Sequence, residues 1–560
     1  MVVREFTTID GRWHTRQVHY RRAGTGPALL MLHQSPLSSA DLLPLIEPWQ
    51  RHFTIIAPDT PGYGLSDPLG VAEASITDFA AATGEFVDAL GLEHFGVSGY
   101  HTGGSIALEV ARQRPRQIVA CAINGLATFN EAERDDLLTH YLPPFVPRWD
   151  GSHLAWLWSR LREQYVFFPW HDHRRAARMH FDMPPPAYIQ NAAVEILRAD
   201  DHYRSAYRAA FAYPGGPLLV DVTVPTLVTA APPDPLVAHL ERITGAPATV
   251  EVEGSADRDA ATQRCLDFLR RHPGAEPPPP PATTAIPGRS WQQYVQVDGP
   301  NIRVRRHDEG EGAPVVLLHD AAGSTDLMAP VADGLLGRRP VIAVELPGHG
   351  ETDPVIADDE VTVSAYAEHV ATVLDALGID TPVDVFGLRL GGLVALEWSR
   401  QAPSRVRALA LCSPGSFDDA ELADLRANYA PEIVLDWYGG HLLHAWHMVR
   451  DQRLYWPWYR RERAAILDCE PHLDARLVHQ RVLELMRAPT RWRHAYRAQF
   501  DYPVEARLAD ARGPVTLCSP VSDPLHDRTA ALQARFPQHP FRTLPDPEPH
   551  WAELIATLND

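Results

Sequence analysis

A histidine stands in a glycine-framed turn within the stretch FGVSGYHTGGSIALEVA. This residue is His101, and it lies between a short apolar run and a helical pattern. At a helix N-terminus the positive end of the helix dipole disfavours an imidazolium, so we expect the pKa of His101 to lie below its usual value of about 6.5. A neutral imidazole in that place can act as a base, a nucleophile or a hydrogen-bond donor.

The same turn occurs again as GLRLGG, and there the central residue is Arg389. A guanidinium cannot serve as a nucleophile. A cation at a helix N-terminus is unfavourable by roughly 0.3–1 kcal/mol unless an anion pairs with it. The pattern therefore predicts either a structural ion pair or a site that binds a carboxylate ligand in a bidentate way.

The two turns belong to a longer internal repeat. WDGSHLAWLWSRLREQYVFFPW (149–170) aligns without a gap on WYGGHLLHAWHMVRDQRLYWPW (437–458), at an offset of 288. Such a constant offset indicates a tandem duplication. The segment 272–290 holds five consecutive prolines and predicts a semi-rigid linker. We therefore expect a first domain over 1–271 and a second over 291–560.

Both halves alternate short apolar runs with helical patterns. Runs such as PALLMLHQSP and FTIIAPDTPGYG end in turn residues, which is typical of strands buried on both faces of a parallel sheet. Between residues 130 and 215 the pattern becomes helical and rich in aromatic residues. The sequence predicts an α/β protein in which each half has a mostly parallel sheet, flanking helices and a helical insertion over the carboxyl edge of the strands.

The ordered motifs of both halves resemble the α/β-hydrolase fold family. The resemblance rests on LHQSP (32–36) and LHDAAGS (318–324), on PDTPGYGLSDP and VELPGHGETDP, on the two turns, and on late strands that end in Asp234 and Asp523. It implies two tandem α/β-hydrolase-like domains with caps over about 130–215 and 415–503. It also implies that each glycine-framed turn is the strained elbow that presents the nucleophile of this family.

The resemblance implies a triad of nucleophile, acid and histidine in which this sequence lacks members. Neither elbow holds a serine, and residues 241–271 contain no histidine, whereas the second half keeps a candidate, His550. We therefore expect no standard serine mechanism, and we expect the second half to be degenerate. There, Arg389 is expected to pair with Asp523 and to plug the site, ahead of the alternative that it binds a carboxylate.

The resemblance leaves two readings of His101 open. In the first, His101 works above an oxyanion hole made by the backbone N–H groups of Thr102 and Ser35, and it forms a dyad with Asp234. In the second, His101 fills a pocket that has lost its activity.

The cap repeat offers further candidates. On a helix, His153 and Gln164 lie about 20° apart around the axis, and we expect His153 to face the pocket and assist catalysis. Trp158 and Arg162 have a spacing that suits a cation–π contact, which we interpret as cap packing. The residues expected to form an aromatic wall are Trp149, Trp156, Trp158, Tyr165 and Phe167. The stretch PWHDHRRAARMH (169–180) predicts a solvated basic helix, and we expect no metal site there.

Charge, hydropathy and cysteine content argue against several classes of partner and location. The formal net charge of -20 argues against a nucleic-acid partner. The N-terminal stretch has no apolar core, and no run approaches a membrane span, so we expect neither a signal peptide nor a membrane partner. The five cysteines are scattered and have no CxxC spacing, which favours a reducing cytoplasm. No feature implies a cofactor.

Three functions remain open at this stage. The first is an enzyme that acts on a small, partly apolar substrate, aromatic ones included, by hydrolysis, bond cleavage or acid/base chemistry at His101. The second is an inactive pseudo-hydrolase that binds a small ligand. The third is a scaffold in which the two halves pack together as an intramolecular pseudo-dimer.

Overall fold

The coordinates are a computed structural model, which describes residues 2–488, 490–546 and 551–556. The chain forms two compact units. Unit 1 consists of Met1–Val146, His153–Thr284 and Trp437–Gly439, and unit 2 consists of Pro147–Ser152, Ala285–Asp436 and Gly440–Asp560.

Unit 1 is built on an eight-stranded sheet with the order β1-β2-β4-β3-β5-β6-β7-β8. Its strands are β1 Val3–Asp10, β2 Thr15–Ala23, β3 Ala28–Leu32, β4 Thr54–Pro58, β5 Phe95–Tyr100, β6 Ile118–Asn124, β7 Thr226–Ala230 and β8 Val250–Gly254. Its α-helices are α1 Leu43–Trp49, α2 Ile76–Ala89, α3 Thr102–Gln113, α4 Glu131–Asp136, α5 Ser152–Glu163, α6 Pro186–Ala199, α7 Ser205–Ala212, α8 Gly215–Leu218 and α9 Arg258–Arg270.

Unit 2 has an eight-stranded sheet with the order β16-β15-β14-β13-β11-β12-β10-β9. Its strands are β9 Trp291–Gln296, β10 Asn301–His307, β11 Val315–Leu318, β12 Val341–Val344, β13 Val383–Leu388, β14 Val406–Cys412, β15 Val515–Pro520 and β16 Phe541–Leu544. Its α-helices are α10 Thr325–Gly334, α11 Val363–Ala376, α12 Leu390–Gln401, α13 Asp419–Asn428, α14 Gly440–Asp451, α15 Ala475–Arg487, α16 Trp492–Asp501, α17 Val504–Ala509, α18 His526–Arg535 and α19 Trp551–Ala556.

In each unit the first two strands pair antiparallel and the remaining strands run parallel. The central strands are apolar and buried along their whole length, as in ALLML of β3 and VVLL of β11. Such strands need a helix layer on both faces, and this requirement explains the parallel sheet. The predicted fold class, two tandem α/β-hydrolase-like domains, is confirmed.

The chain between β6 and β7 carries helices α4–α8, and the chain between β14 and β15 carries α13–α17. The basic helix predicted over 169–180 is wrong. This segment consists of turns, bends and irregular chain around a short 3-10 helix at Arg175–Ala177, and Phe167 and Arg178 form an isolated bridge. Arg174 forms an ion pair with the neighbouring Asp172. The charged side chains of this segment therefore do not line one face of a helix.

The proline-rich segment runs against unit 1. The Ala28 N–H donates to the Ala275 carbonyl at 2.8 Å, Arg22 donates to the Pro278 carbonyl at 2.8 Å, and the Thr283 hydroxyl donates to the Phe6 carbonyl at 3.0 Å. Proline has no backbone N–H to donate, but its carbonyl can accept a hydrogen bond, as that of Pro278 does from Arg22.

No helix within the described ranges is long and apolar enough to cross a membrane. All five cysteines are free thiols, and four of them are buried.

Candidate active site

Both glycine-framed turns form the strained elbow. His101 has φ 48° and ψ -110°, and Arg389 has φ 47° and ψ -107°. A Cβ on Gly103 would come within 2.6 Å of the His33 carbonyl oxygen, and a Cβ on Gly99 would meet the Gly103 backbone. The glycines therefore let the strand, the turn and the helix approach closely enough to lift the central side chain above the sheet.

In unit 1 the elbow histidine meets the acid at the end of β7. The Nε2 atom of His101 lies 2.6 Å from Oδ2 of Asp234, and Oδ1 of Asp234 accepts the Leu236 N–H at 2.8 Å. Because the loop after β8 supplies no histidine, Asp234 is available to the elbow side chain. The His101 side chain remains 40% exposed, so a small molecule can reach its ring.

The carboxylate reverses the pKa shift expected for His101. Burial favours the neutral ring, but the negative charge of Asp234 and its hydrogen bond outweigh that effect and raise the pKa of His101. The expectation of a lowered pKa is wrong, because a full charge at 2.6 Å is stronger than the partial charge of a helix end. Burial works to raise the pKa of Asp234, whereas the charge and hydrogen bond of His101 lower it overall.

Of the two residues expected to form an oxyanion hole, Thr102 follows the elbow histidine and Ser35 follows strand β3. Thr102 is the first residue of α3, and a helix leaves its first N–H groups without internal partners. The Ser35 hydroxyl accepts from Tyr63 at 3.1 Å, and Tyr63 also donates to the Tyr203 carbonyl at 2.8 Å. Within the described part of the chain, no backbone hydrogen bond is formed by the N–H groups of Thr102 and Ser35.

Two charged residues that the sequence did not single out act on His101. The carboxylate of Asp41 raises the pKa of His101, and the guanidinium of Arg258 lowers it. The same two charges act on the pKa of Tyr165, which burial raises first of all. Arg258 begins α9 directly after the loop in which the family resemblance implies a histidine that this chain lacks. A comparison of that loop with the family pattern could have singled out this arginine.

The other cap candidates take different places. His153 is buried and packs at 5.7 Å from the Phe145 ring, and it forms none of the hydrogen bonds of His101 and Asp234. Gln164 accepts from Arg160 at 2.9 Å. Trp158 is buried and donates to the Trp437 carbonyl at 3.0 Å within unit 1, whereas Arg162 lies over the Tyr438 ring. Of the expected aromatic wall, Tyr165 shares the electrostatic environment of His101.

In unit 2 the elbow arginine is held by two carboxylates. Arg389 Nη2 donates to Asp523 Oδ2 at 2.9 Å, and its Nη1 lies 3.7 Å from Asp320 Oδ2. Arg481 on α15 donates to Asp320 at 3.0 Å. Burial disfavours the charge of Arg389, but the two carboxylates raise its pKa overall. The expected Arg389–Asp523 pair is therefore present, and Asp320 and Arg481 extend it.

Unit 2 also contains a cavity of about 180 Å³ above its elbow. Arg389, Asp523 and Asp320 form the polar part of the wall, and Tyr429 and Tyr496 contribute aromatic rings. His550, the remaining triad candidate of the second half, lies outside the described residues.

A model of the alpha/beta hydrolase fold family matches residues 27–255 and 313–444. These ranges cover more than half of the chain and include both elbows. The chain therefore belongs to the α/β hydrolase fold family.

Curated relatives match shorter segments. A dihydrolipoyllysine-residue acetyltransferase component of the acetoin cleaving system from Cupriavidus necator is 40% identical over 23% of this chain and 33% of its own length. Haloalkane dehalogenase 2 of Mycobacterium bovis is 34% identical over 20% of this chain and 40% of its own length. A 2-hydroxymuconate semialdehyde hydrolase of Pseudomonas putida is 37% identical over 20% of this chain and 39% of its own length. The chain thus spans well under half the length of these three relatives.

Among solved structures, epoxide hydrolase A from Mycobacterium thermoresistibile is 16% identical, with a TM-score of 0.37 over 48% of this chain and 98% of that chain. A thermophilic esterase from Thermogutta terrifontis is 21% identical, with a TM-score of 0.36 over 48% of this chain and 96% of that chain.

Proposed function

We propose that unit 1 is an enzyme that uses His101 as a general base and has no serine nucleophile. The observation that carries the proposal is the 2.6 Å contact between His101 Nε2 and Asp234 Oδ2 on an intact elbow. An ionised carboxylate only accepts hydrogen bonds, so it holds the proton on Nε2 and leaves the lone pair of the neutral ring on Nδ1. Because Asp234 raises the pKa of His101, that lone pair is also more basic than in free histidine.

This arrangement supports hydrolysis by an activated water. Nδ1 of His101 takes a proton from water as its oxygen attacks an electrophilic carbon of the substrate. The N–H groups of Thr102 and Ser35 receive the oxyanion, and the imidazolium returns the proton to the leaving group. The family relationship and the hydrolases among the relatives support this class of reaction for a small, partly apolar substrate. They do not identify the substrate.

The test compares turnover by three proteins on a panel of small esters, lactones and halides. His101→Ala removes the base, and Arg389→Ala removes the equivalent side chain of unit 2. We expect His101→Ala to lower the rate by at least about a hundredfold and Arg389→Ala to retain it. A fluorophosphonate probe for activated serines should label neither elbow. Full turnover by His101→Ala, or labelling at either elbow, would sink the proposal.

A second candidate function applies to unit 2. We propose that it is a degenerate hydrolase half that binds a small molecule without converting it, because its elbow side chain carries no base. The cavity with mixed aromatic and charged walls supports this reading. This proposal predicts a ligand that raises the melting temperature of the native protein and is not converted to product. The same ligand should not raise the melting temperature of Tyr429→Ala.

We also propose that the two halves arose by duplication and pack together as an intramolecular pseudo-dimer, and that the protein is cytoplasmic. Expression of residues 1–284 alone tests whether the first half depends on the second. A folded fragment with the turnover of the full chain would refute a scaffolding role for the second half.

A further inference from the structure

A cluster on the cap of unit 1 brings together two imidazoles and a carboxylate. His171 Nε2 lies 2.9 Å from Asp136 Oδ2, and His140 Nδ1 lies 3.0 Å from Asp136 Oδ1. The three ligand atoms all lie within 4.8 Å of one another. Nothing in the reaction proposed for His101 uses these residues.

The local backbone explains how this cluster forms. Asp136 ends α4, and a π-helical turn over Leu137–Tyr141 brings His140 back above it. His171 follows Trp170, whose indole N–H donates to the Tyr141 carbonyl at 3.0 Å and so fastens the loop to the turn. The His171 ring packs 6.1 Å from Tyr141 and 5.8 Å from Trp170, measured between ring centroids.

The chemistry of the three donors suits a transition metal. Zinc takes imidazole nitrogen and carboxylate oxygen at about 2.0–2.2 Å, which places neighbouring ligand atoms of a tetrahedral site roughly 3.3 Å apart. The distance from His171 Nε2 to Asp136 Oδ2 is within a few tenths of an ångström of that spacing, and His140 supplies a third ligand atom within 4.8 Å of the other two. Nε2 is the nitrogen that the His171 ring directs at the cluster, and its Nδ1 atom is buried and has no hydrogen-bond partner among the described residues.

The second half of the chain provides an internal comparison at the offset of 288. There Asp424 accepts from the Tyr459 hydroxyl at 2.7 Å and from the Asn428 amide at 3.0 Å. Trp458 likewise donates to the Tyr429 carbonyl at 2.9 Å. The cap architecture is therefore maintained by an amide and a phenol, and it does not require two histidines.

The charge around the two clusters also differs. In the second half Arg460 donates to Asp424 at 2.7 Å, so the carboxylate already has a cation. The corresponding residue of the first half is Asp172, which pairs with Arg174. Asp424 is therefore neutralised by an arginine and accepts from two neutral donors, whereas the side-chain partners of Asp136 are histidines. A divalent cation bound at Asp136 would supply the positive charge that Arg460 supplies at Asp424.

We propose that Asp136, His140 and His171 bind a divalent transition-metal ion of the zinc class on the cap of unit 1. Three protein ligands leave a fourth position for water or an exogenous ligand. The ion would clip the turn after α4 to the loop after α5 and stabilise the cap.

The test uses the untagged full chain, stripped with EDTA and titrated with Co²⁺, whose visible absorbance reports ligation. The variant His140→Asn/His171→Tyr installs the side chains of the second half and so should keep the cap folded. The control His173→Asn changes a neighbouring histidine that lies outside the cluster.

We expect the native chain and the control to bind one equivalent of Co²⁺ that Zn²⁺ displaces, and the melting temperature to rise on binding. We expect the double variant to lose this equivalent, with an affinity more than roughly tenfold weaker, while its melting temperature in EDTA stays near that of the native chain. Absence of a stoichiometric equivalent in the native chain, or equal binding by the double variant, would overturn the proposal.

Discussion

His101 and Asp234 are 133 residues apart in sequence, yet their side chains meet at 2.6 Å above the sheet of unit 1. In unit 2 the corresponding contact joins Arg389 to Asp523 at 2.9 Å. In both units the acid uses one oxygen for the elbow side chain and the other for a backbone N–H two residues later. The elbow side chain therefore pairs with an equivalent acid in both units, through a titratable histidine in unit 1 and a permanently charged arginine in unit 2.

The first prediction concerns Asp234→Asn and its dependence on pH. Since Asp234 raises the pKa of His101, the variant should lower it, and the pH midpoint for modification of His101 by diethylpyrocarbonate should fall. Catalysis should drop by about a hundredfold, because the amide no longer fixes the tautomer. Mass spectrometry of the peptide that contains His101 measures the modification. An unchanged midpoint would show that the carboxylate does not act on the ring.

The same pair makes stability depend on pH with a defined sign. A raised pKa of His101 contributes stability that is present below about pH 6.5 and is lost as the pH rises through the folded-state pKa. The lowered pKa of Asp234 contributes stability that is lost only as the pH falls through that pKa. Asp234→Asn should therefore lower the melting temperature more at pH 5.5 than at pH 9. Asp523→Asn is the control, because Arg389 stays charged at both pH values. This substitution should therefore lower the melting temperature equally at pH 5.5 and at pH 9.

The next prediction uses Gly125, which has φ 81°. A Cβ at this position would collide with His101 Cδ2 and come within 2.8 Å of Nε2. The second half carries Ser413 here, at φ 53° and fully buried, so a serine can adopt this backbone. Gly125→Ser should therefore displace His101 from Asp234 and lower activity by more than roughly tenfold.

The control for this substitution is Ser413→Gly, which should leave turnover intact. The pKa of His101 in Gly125→Ser, followed by the same chemical modification, should fall with loss of the carboxylate contact. Native activity and an unshifted pKa in Gly125→Ser would contradict the geometry of the elbow.

Arg258 and Asp41 should tune His101 in opposite directions. Removing the guanidinium in Arg258→Ala should raise the pKa of His101, and removing the carboxylate charge in Asp41→Asn should lower it. Arg270→Ala, which changes another exposed arginine of α9, is the matched control. Shifts of the same sign in the two variants would contradict the assignment of these charges to the site.

Arg389→Met should destabilise the protein without affecting turnover. The substitution leaves the largely buried carboxylate of Asp523 without its cation, whereas Asp320 keeps Arg481. The loss of one partner of a buried pair costs about 3 kcal/mol. Adding Asp523→Asn should recover part of that loss, because it removes the unpaired charge. Denaturant unfolding measures both values. A double variant no more stable than Arg389→Met would count against an Arg389–Asp523 pair.

Much of this fold was predictable from sequence because the informative strands are short, apolar and bounded by turn residues. The contact between Arg389 and Asp523 followed from the order of the motifs, since an elbow and the strand that bears the acid meet at one sheet edge. The shift of the His101 pKa was not predictable from the helix dipole alone, because the sign depends on a carboxylate distance.

The cluster around Asp136 shows why other features escape sequence analysis. His140 lies in a π-helical turn that follows Asp136, and His171 lies in a loop for which the sequence pattern predicts a helix. The contact of His140 with Asp136 has the i,i+4 spacing of helical neighbours, whereas the contact of His171 with Asp136 joins residues 35 apart and follows from no helical spacing. The comparison between the two halves, which shows Asn428 and Tyr459 at the same positions, was the signal that the sequence offered.

The most direct test of the central claim is the ionisation and tautomeric state of His101, measured by nitrogen-15 NMR on protein labelled at histidine. The His101 signals are assigned by their absence in His101→Asn. We predict a pKa above 6.5 and, in the neutral ring, a proton on Nε2 with a bare Nδ1. A pKa below 6.5, or a neutral ring protonated on Nδ1, would contradict the assignment of His101 as a base held by Asp234.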